Sequence, residues 1–190
     1  MKRKPIIVVT GKMSAGKDTV LEEMKNQGFK RLVCYSTRKM RPKEIDGVNY
    51  HYVSDSDFKH KLECGFFAES REYNTADGKK FYGTSAEDLI SGKYDFVELS
   101  LDAIINVRNQ GIDLIVIYLD CPDEVHKDRA LRRSDDVAEV ERRLNDETLE
   151  FDARVIDMVS DYKVNSNRSL EHTVAEIIEI YNNLENEGNI

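Results

Sequence analysis

The segment Gly11-Lys12-Met13-Ser14-Ala15-Gly16-Lys17-Asp18-Thr19 constrains the fold more than any other feature, because it joins the apolar run Ile6-Ile7-Val8-Val9 to a helical pattern over 18–26. Its two glycines let the backbone curl so that successive N–H groups point inward. The start of the helix adds a partial positive charge, and Lys17 supplies a full one. A bare glycine turn needs none of this, whereas a phosphate group calls on all three, so Gly11 to Thr19 is expected to line a phosphate site. Asp18 stands where a serine or threonine usually follows the lysine, which leaves Thr19 as the hydroxyl. Two readings of Asp18 stay open: a group in the shell of a divalent metal, or an acid favoured at a helix start by the dipole.

The order of elements after this unit has two regimes. Arg31 to Tyr35 reads as a short strand, and a basic stretch runs through the turn signal Asp46-Gly47 into a strand over 48–53. A helix over 55–63, stopped by Gly65, is followed by strands over 66–73 and 79–82 with a turn at Ala76-Asp77-Gly78. The pattern then turns regular: helix 85–91, strand 94–100, helix 101–109, strand 113–119, helix 122–133, a charged helix over about 135–157, strand 162–165 and helix 169–186. Val174, Ile177, Ile178, Tyr181 and Leu184 form a core-facing stripe on the last of these. Strands alternating with helices predict an α/β fold with a parallel sheet covered on both faces, interrupted by an inserted mixed lobe.

Composition narrows the function classes. The chain has 190 residues, 40% hydrophobic and 34% charged, which suits one compact domain carrying a small insertion. A formal charge of -8 argues against a nucleic-acid partner, since a phosphate backbone is held by a broad basic surface, so any phosphate ligand must meet a local basic pocket. The apolar runs fall far short of the roughly 20 residues that span a bilayer, and the basic start Met1-Lys-Arg-Lys lacks a cleavage pattern, so a cytoplasmic protein without a membrane segment is expected. Cys34, Cys64 and Cys121 are widely spaced and form no Cys-x-x-Cys pair, which points to reduced thiols. His51, His60, His126 and His172 show no ligand spacing and receive no role.

A second constellation follows the first. Arg38 and Arg41, with Tyr50 after a turn, can converge on one dianion, each guanidinium giving forked donors and the phenol a further one; a solvated basic loop would carry the same charges. The run Ser36-Thr37-Arg38, Arg41, Glu44, Gly47, Tyr50, then Phe67-Ala68-Glu69, then Tyr82-Gly83-Thr84, closely resembles the guanylate kinase family of P-loop nucleoside monophosphate kinases. With the phosphate loop at one end and Val164-Asn165 near the other, the resemblance covers nearly the whole chain.

The resemblance implies a P-loop NTPase fold: a core over about 1–34, 85–125 and 158–190, a nucleoside-monophosphate-binding lobe over about 35–84, and a helical lid over about 126–157. It implies ATP as phosphoryl donor, Mg²⁺, and GMP as acceptor. Arg38, Arg41, Tyr50 and Tyr82 would hold the GMP phosphate. Glu69 would read guanine, accepting from N1–H and the 2-amino group together, with Thr84 beside the base. Cys34 replaces a serine that contacts guanine, and its S–H is a weaker donor. Glu98-Leu99-Ser100 replaces Asp-x-Asp, so Glu98 remains as a metal-shell acid beside Asp18, while Ser100 offers only a neutral contact. Asp102 stands near that strand end, either compensating or starting a helix. The loop before Tyr82 is longer than the family's usual form.

In the lid, Arg129 with the ATP, and Arg133 and Arg143 with the transferred group, match the family's arginines; Arg132 and Arg142 are competing registers, and the expected Gly-Thr is replaced by Ser134-Asp135. Cationic groups on a closing segment suit phosphoryl transfer, where positioning and electrostatics do most of the catalysis. Two alternatives stand beside a guanylate kinase: a kinase for another or modified nucleoside monophosphate, because Cys34 and Ser100 both lie on the base side, and a protein-binding module that retains the fold. Monomer and homodimer are both compatible with the sequence.

Overall fold

A computed structural model of the chain describes residues 5–42, 44–75, 78–132, 137, 140–142, 144, 147 and 151–187. Its centre is a four-stranded parallel sheet in the order β6 (Phe96–Glu98), β1 (Ile6–Thr10), β7 (Leu114–Asp120), β8 (Tyr162–Asn165). All of its pairings are parallel, with Ile7 opposite Phe96 and Ile115, and Leu119 opposite Val164. Alternate residues of β1 serve opposite faces, as the period of two requires. Ile6 and Val8 join the core that holds Ile104 and Val107 of α4 (Leu101–Arg108), with Ile156 and Val159 of α6 (Ala153–Val159). Ile7 and Val9 join the core of Leu21 and Met24 of α1 (Lys17–Asn26), with Val174, Ile177 and Tyr181 of α7 (Leu170–Glu187). Of the expected stripe on the last helix, Val174, Ile177 and Tyr181 are core, Ile178 packs against it and Leu184 is half-buried outside it; Tyr181 adds a hydrogen bond from its hydroxyl to Asp95 at 2.6 Å.

The second sheet is mixed, in the order β3 (His51–Tyr52), β2 (Tyr35–Ser36), β5 (Gly78–Ser85), β4 (Phe67–Thr75). One of its faces carries an aromatic core: the Phe58 ring, from α2 (Asp55–Glu63), stacks on Phe67 at 4.5 Å and on Phe81 at 5.6 Å. Gly83 makes that stack possible, because a Cβ there would lie 2.8 Å from the Phe67 ring and 3.0 Å from Phe58. The short helix α3 (Ala86–Ile90) leads from this sheet back to the parallel one, with Ser85 capping it.

Three expected elements differ. The strand over 31–35 is split: Arg31 bridges to Phe96 on the parallel sheet, and only Tyr35–Ser36 pairs in the mixed sheet. A chain crossing between two sheets has only a residue or two to give each. The strand over 48–53 shrinks to His51–Tyr52, because Gly47 donates to the Tyr50 carbonyl at 2.8 Å and turns the chain before it. The charged helix over 135–157 does not run through: Asp152 has extended backbone and its side chain accepts from the Arg154 amide, starting α6 afresh. Helix α5 (Asp123–Arg132) fits its expectation as far as the described residues reach. The Ala76-Asp77 part of the expected hairpin turn, and Arg133, Ser134, Asp135 and Arg143, lie outside the described residues. Among the described residues no helix is long and apolar enough to cross a membrane.

Candidate active site

The glycine-bearing loop runs from the end of β1 into α1, and its curl is visible in the dihedrals. Gly16, at φ 96°, precedes the first turn of α1, and Ser14 takes φ 60°, which non-glycine residues rarely adopt. Gly11 lies against β7, where a Cβ would meet the Leu119 carbonyl oxygen at 2.9 Å. Lys17 folds back over the loop and donates from Nζ to the carbonyls of Gly11 at 2.7 Å and Lys12 at 3.0 Å. The loop amide of Met13 donates to a Glu147 carboxylate oxygen at 2.8 Å, so this N–H already serves an anion. Beneath the loop, the fully buried His126 donates from Nδ1 to the Met13 carbonyl at 2.7 Å, and burial pushes its pKa down, which keeps the ring neutral. Lys12 pairs with Asp123 at 2.6 Å. Glu147 and His126 are contributors that sequence reasoning missed, since they are distant in the chain and carry no motif.

Arg129 reaches the same loop from α5. Its Nη1 lies 3.4 and 3.3 Å from the carbonyls of Ser14 and Ala15, and Nη2 donates to the Ser166 carbonyl at 2.7 Å. It thereby ties the loop to the end of β8, beside a cavity of about 360 Å³ lined by Asp120, Cys121, Pro122, Lys163, Asn165 and Asn167 at the carboxyl ends of β7 and β8. Arg132 pairs with Asp128 one turn back on the exposed face.

The second constellation assembles on the mixed lobe. The Arg38 guanidinium lies 5.1 Å from the Tyr50 ring centre and 5.4 Å from that of Tyr52, and the Tyr50 and Tyr82 rings are 5.7 Å apart. Glu44 holds Arg38 in a two-pronged pair at 2.6 Å on both arms, while also accepting from the Arg41 amide at 2.8 Å and the Tyr52 hydroxyl at 2.7 Å. Glu44 belongs to the motif, but its task as the residue that orients Arg38 emerges only in three dimensions. The Arg41 guanidinium is exposed and makes no hydrogen bond or ion pair among the described residues, so the two arginines do not converge here.

The Arg38 bonds, with the Arg41 amide and the Tyr52 hydroxyl, hold the Glu44 carboxyl well below its ordinary 4.5, at about 2. A carboxyl whose folded pKa is depressed contributes stability fully above its unfolded pKa, and loses it as pH falls toward the folded one. The stability gap between the wild type and Glu44→Gln is therefore expected to be widest near pH 6 and to close as pH drops from 4.5 toward 2. Urea unfolding at pH 6, 4 and 2.5 reads this, and a constant gap would rule it out.

Glu69 sits on β4 behind these residues with no side-chain exposure. A bulge at Ala68 shifts the register, so that Phe67 faces Ser85 but Glu69 faces Thr84. The Thr84 hydroxyl then donates to Glu69 Oε1 at 2.6 Å, and Arg71, two residues along the same face, donates from Nε to Oε2 at 3.0 Å. Cys34 stands 3.4 Å from the Thr84 hydroxyl, and burial pushes its thiol pKa up to about 11, so it remains a neutral, weak donor. Ser100 caps α4, accepting from the Ala103 amide at 3.4 Å. Asp102 falls in the first turn of α4 on an exposed face, the helix-start position.

Glu98, at the end of β6, links the two constellations. Burial raises its carboxyl pKa and Asp18 adds to the rise, while Lys17, Arg31 and Arg71 pull it down. Tyr50 has its own pKa raised by burial first and then by Glu98, Cys34, Tyr82 and Asp18. Charges of the loop, the strand end and the lobe thus act on one another. Asp18 and Thr19 are exposed at the start of α1, and Asp18 makes no ion pair among the described residues.

A glycine-bearing loop between a central parallel strand and a helix, with its lysine over the curl and a cavity at the strands' carboxyl ends, is the arrangement of the P-loop NTPase fold. Residues 2–184 match the family described as Guanylate kinase. The chain is 31% identical over 152 residues to a guanylate kinase of Lactiplantibacillus plantarum, covering 75% of this chain and 72% of that one. It is 32% identical over 147 residues to one of Desulfotalea psychrophila, covering 73% and 70%. The fold is shared with the crystal structure of guanylate kinase from Anaplasma phagocytophilum, at a TM-score of 0.67 and 19% identity over 95% of this chain and 85% of that one. The chain belongs to the guanylate kinase family.

Proposed function

We propose that this chain transfers the γ-phosphoryl group of ATP to GMP, giving ADP and GDP. The observation that carries the reading is the pair of sites itself: a glycine-bearing loop with Lys17 folded over it, and on the mixed lobe Arg38 gripped by Glu44 beside the Tyr50 and Tyr82 rings. Two anionic nucleotides bound at these patches would face each other phosphate to phosphate. An oxygen of the GMP phosphate attacks the γ-phosphorus, the bond from that phosphorus to the β-bridging oxygen breaks, and ADP leaves with the electron pair. The attacking group is already an anionic oxygen, so no general base is required.

On this reading the amides and side chains of Gly11 to Thr19 cradle the ATP phosphates, and Lys17 leaves its carbonyl partners for the transferring group. Arg129 holds the loop against the cavity at the ends of β7 and β8, which suits the adenosine end. Arg38, oriented by Glu44, grips the GMP phosphate with Tyr50 and Tyr82, and Arg41 closes on it when the nucleotide arrives. Glu69, Thr84, Cys34 and Ser100 form the base side. Arg133 and Arg143 of the lid stretch over 126–157 add positive charge as the segment closes on a core and lobe with the boundaries expected from sequence. On this reading the protein works in the cytoplasm, where both nucleotides are available.

Mg²⁺ fits the residues present. Among the described residues no cluster of three His, Cys, Asp or Glu side chains forms a dedicated cage. Mg²⁺ characteristically takes one or two carboxylates and completes its shell with water and substrate phosphates. Asp18 would be the nearest carboxylate, Thr19 the hydroxyl, and Glu98 the acid facing the water shell. When bound, the ion neutralises negative charge between the donor phosphates.

An ADP-release assay across GMP, dGMP, AMP, UMP and CMP tests the proposal. GMP and dGMP are expected to turn over, and AMP and CMP at least ~100-fold more slowly, because a site built to pair with an N–H and a carbonyl leaves buried groups unpaired against an amino-bearing edge. ATP binding without turnover of any monophosphate would favour the protein-binding module instead.

A further inference from the structure

The hairpin of β4 and β5 runs on well past the sheet that holds it. Strand β2 pairs with it only at Tyr82 and Gly83, yet the ladder between β4 and β5 continues from Arg71 opposite Tyr82 to Tyr73 opposite Lys80 and Thr75 opposite Gly78. Residues facing each other across a ladder share a face of the sheet, and so do residues two apart on one strand. Tyr73 therefore stands on the face of Tyr82. The aromatic core of the lobe, with Phe58, Phe67 and Phe81, lies on the opposite face, and Tyr73 is 43% exposed, so its ring is not needed to fill that core.

What the Tyr73 ring does touch is Tyr82, edge to face, with centres 5.5 Å apart and planes at 81°. Tyr50 meets the same ring at 5.7 Å and 71°. Tyr82 is thus braced by two rings, one from the turn before β3 and one from the hairpin extension. Tyr73 is itself anchored: its hydroxyl accepts from Arg71 Nη1 at 3.1 Å, and its ring centre lies 5.8 Å from the Arg71 guanidinium. The Tyr82 hydroxyl makes no hydrogen bond among the described residues, so ring packing alone sets its direction. Without Tyr73 the half-buried Tyr82 ring would keep only the Tyr50 contact and could turn toward the vacated side.

We infer that Tyr73 is a positioning residue of the acceptor site: by bracing Tyr82 it aims that phenol at the phosphate of the incoming nucleoside monophosphate. The inference rests on the kinase reading above, in which Arg38, Tyr50 and Tyr82 hold that phosphate. The dissociation constant of GMP, and kcat with KM for GMP and ATP, are measured on the wild type, Tyr73→Ala, Tyr73→Leu, Tyr73→Phe, Tyr82→Phe and the double variant Tyr73→Ala/Tyr82→Phe. Tyr73→Ala and Tyr73→Leu are expected to weaken GMP by about 3- to 10-fold, the scale of one edge-to-face ring pair, while KM for ATP stays within about twofold. Tyr73→Phe, which keeps the ring, restores GMP affinity to within about twofold. Once Tyr82→Phe has removed the hydroxyl, adding Tyr73→Ala weakens GMP by less than about twofold further, since groups that act through one another are not additive.

A Tyr73 that only supports the hairpin would weaken GMP by the same factor with or without the Tyr82 hydroxyl, or would raise KM for ATP alongside that for GMP, and either result overturns the inference. GMP affinity unmoved in both Tyr73→Ala and Tyr73→Leu overturns it as well. Tyr73→Leu keeps apolar cover on the ribbon, so the comparison survives if the alanine variant is unstable. A wild-type protein that binds GMP without phosphorylating it overturns the kinase reading while the affinity series still decides the role of Tyr73, and one that binds no GMP overturns both.

Discussion

Lys17→Ala is expected to lower kcat by ~10³-fold while leaving the fold in place. A preorganised donor aimed at charge that develops in the transition state is worth about 10² to 10³ in rate when removed, and here the donor also carries a full positive charge. Lys17 is kept beside the loop it serves, its ammonium parked on the carbonyls of Gly11 and Lys12 until the phosphates draw it off. Both partners are backbone oxygens next to the cleft, where water can replace the lysine, so the melting temperature should move by only a few degrees, corresponding to about 1 kcal/mol or less. Because the acceptor clamp of Arg38, Tyr50 and Tyr82 is untouched, kcat and kcat/KM for GMP should fall together, the signature of an interaction made in the transition state. Saturation kinetics by ADP release distinguish this from a binding defect. A variant that retains wild-type kcat would remove the phosphate loop from the mechanism.

The same loop was also the part of the chain most legible in its sequence. A strand expected over 6–9 is Ile6–Thr10, and a helix expected over 18–26 is Lys17–Asn26, because strict apolar spacing and a glycine boundary specify both. Legibility fails where the deciding interactions are distant. The residues from Arg31 to Tyr35 look like one strand, but Arg31 is claimed by Phe96 and Tyr35 by Gly83, partners on different sheets. Asp152 looks like one more acid in a charged helix until its carboxylate is seen capping the Arg154 amide.

The site divides in the same way. Arg38, Tyr50 and Tyr82 could be picked out by motif, and they do cluster. Arg41 carries the same motif weight, yet its guanidinium remains exposed, since Glu44 takes the Arg41 amide rather than its side chain. Arg71 carries no motif at all. Its importance depends on a one-residue bulge, and a register shift of that kind decides which face every later side chain on the strand occupies. No local pattern around residue 71 reports it.

That dependence makes the Glu69 and Arg71 pair the place where stability and recognition are hardest to separate, and a double-mutant cycle separates them. Glu69→Ala is expected to cost about 3–5 kcal/mol, since removing one member of a buried ion pair leaves the other charge uncompensated. Glu69 is fully buried and Arg71 only 17% exposed, so the guanidinium cannot reach bulk water without leaving the sheet face. Thr84 loses its acceptor at the same time. Adding Arg71→Ala removes the stranded charge, so the double variant should be more stable than the sum of the two single losses predicts, with a coupling of about 1–3 kcal/mol for groups in direct contact. Urea unfolding of the four proteins measures it. Additive losses, or a Glu69→Ala cost below about 1 kcal/mol, would mean that Arg71 relaxes into solvent when its partner is gone. A guanidinium that moves so freely could not hold the Glu69 carboxylate in one orientation, and the fixed acceptor expected of Glu69 would then rest on Thr84 alone.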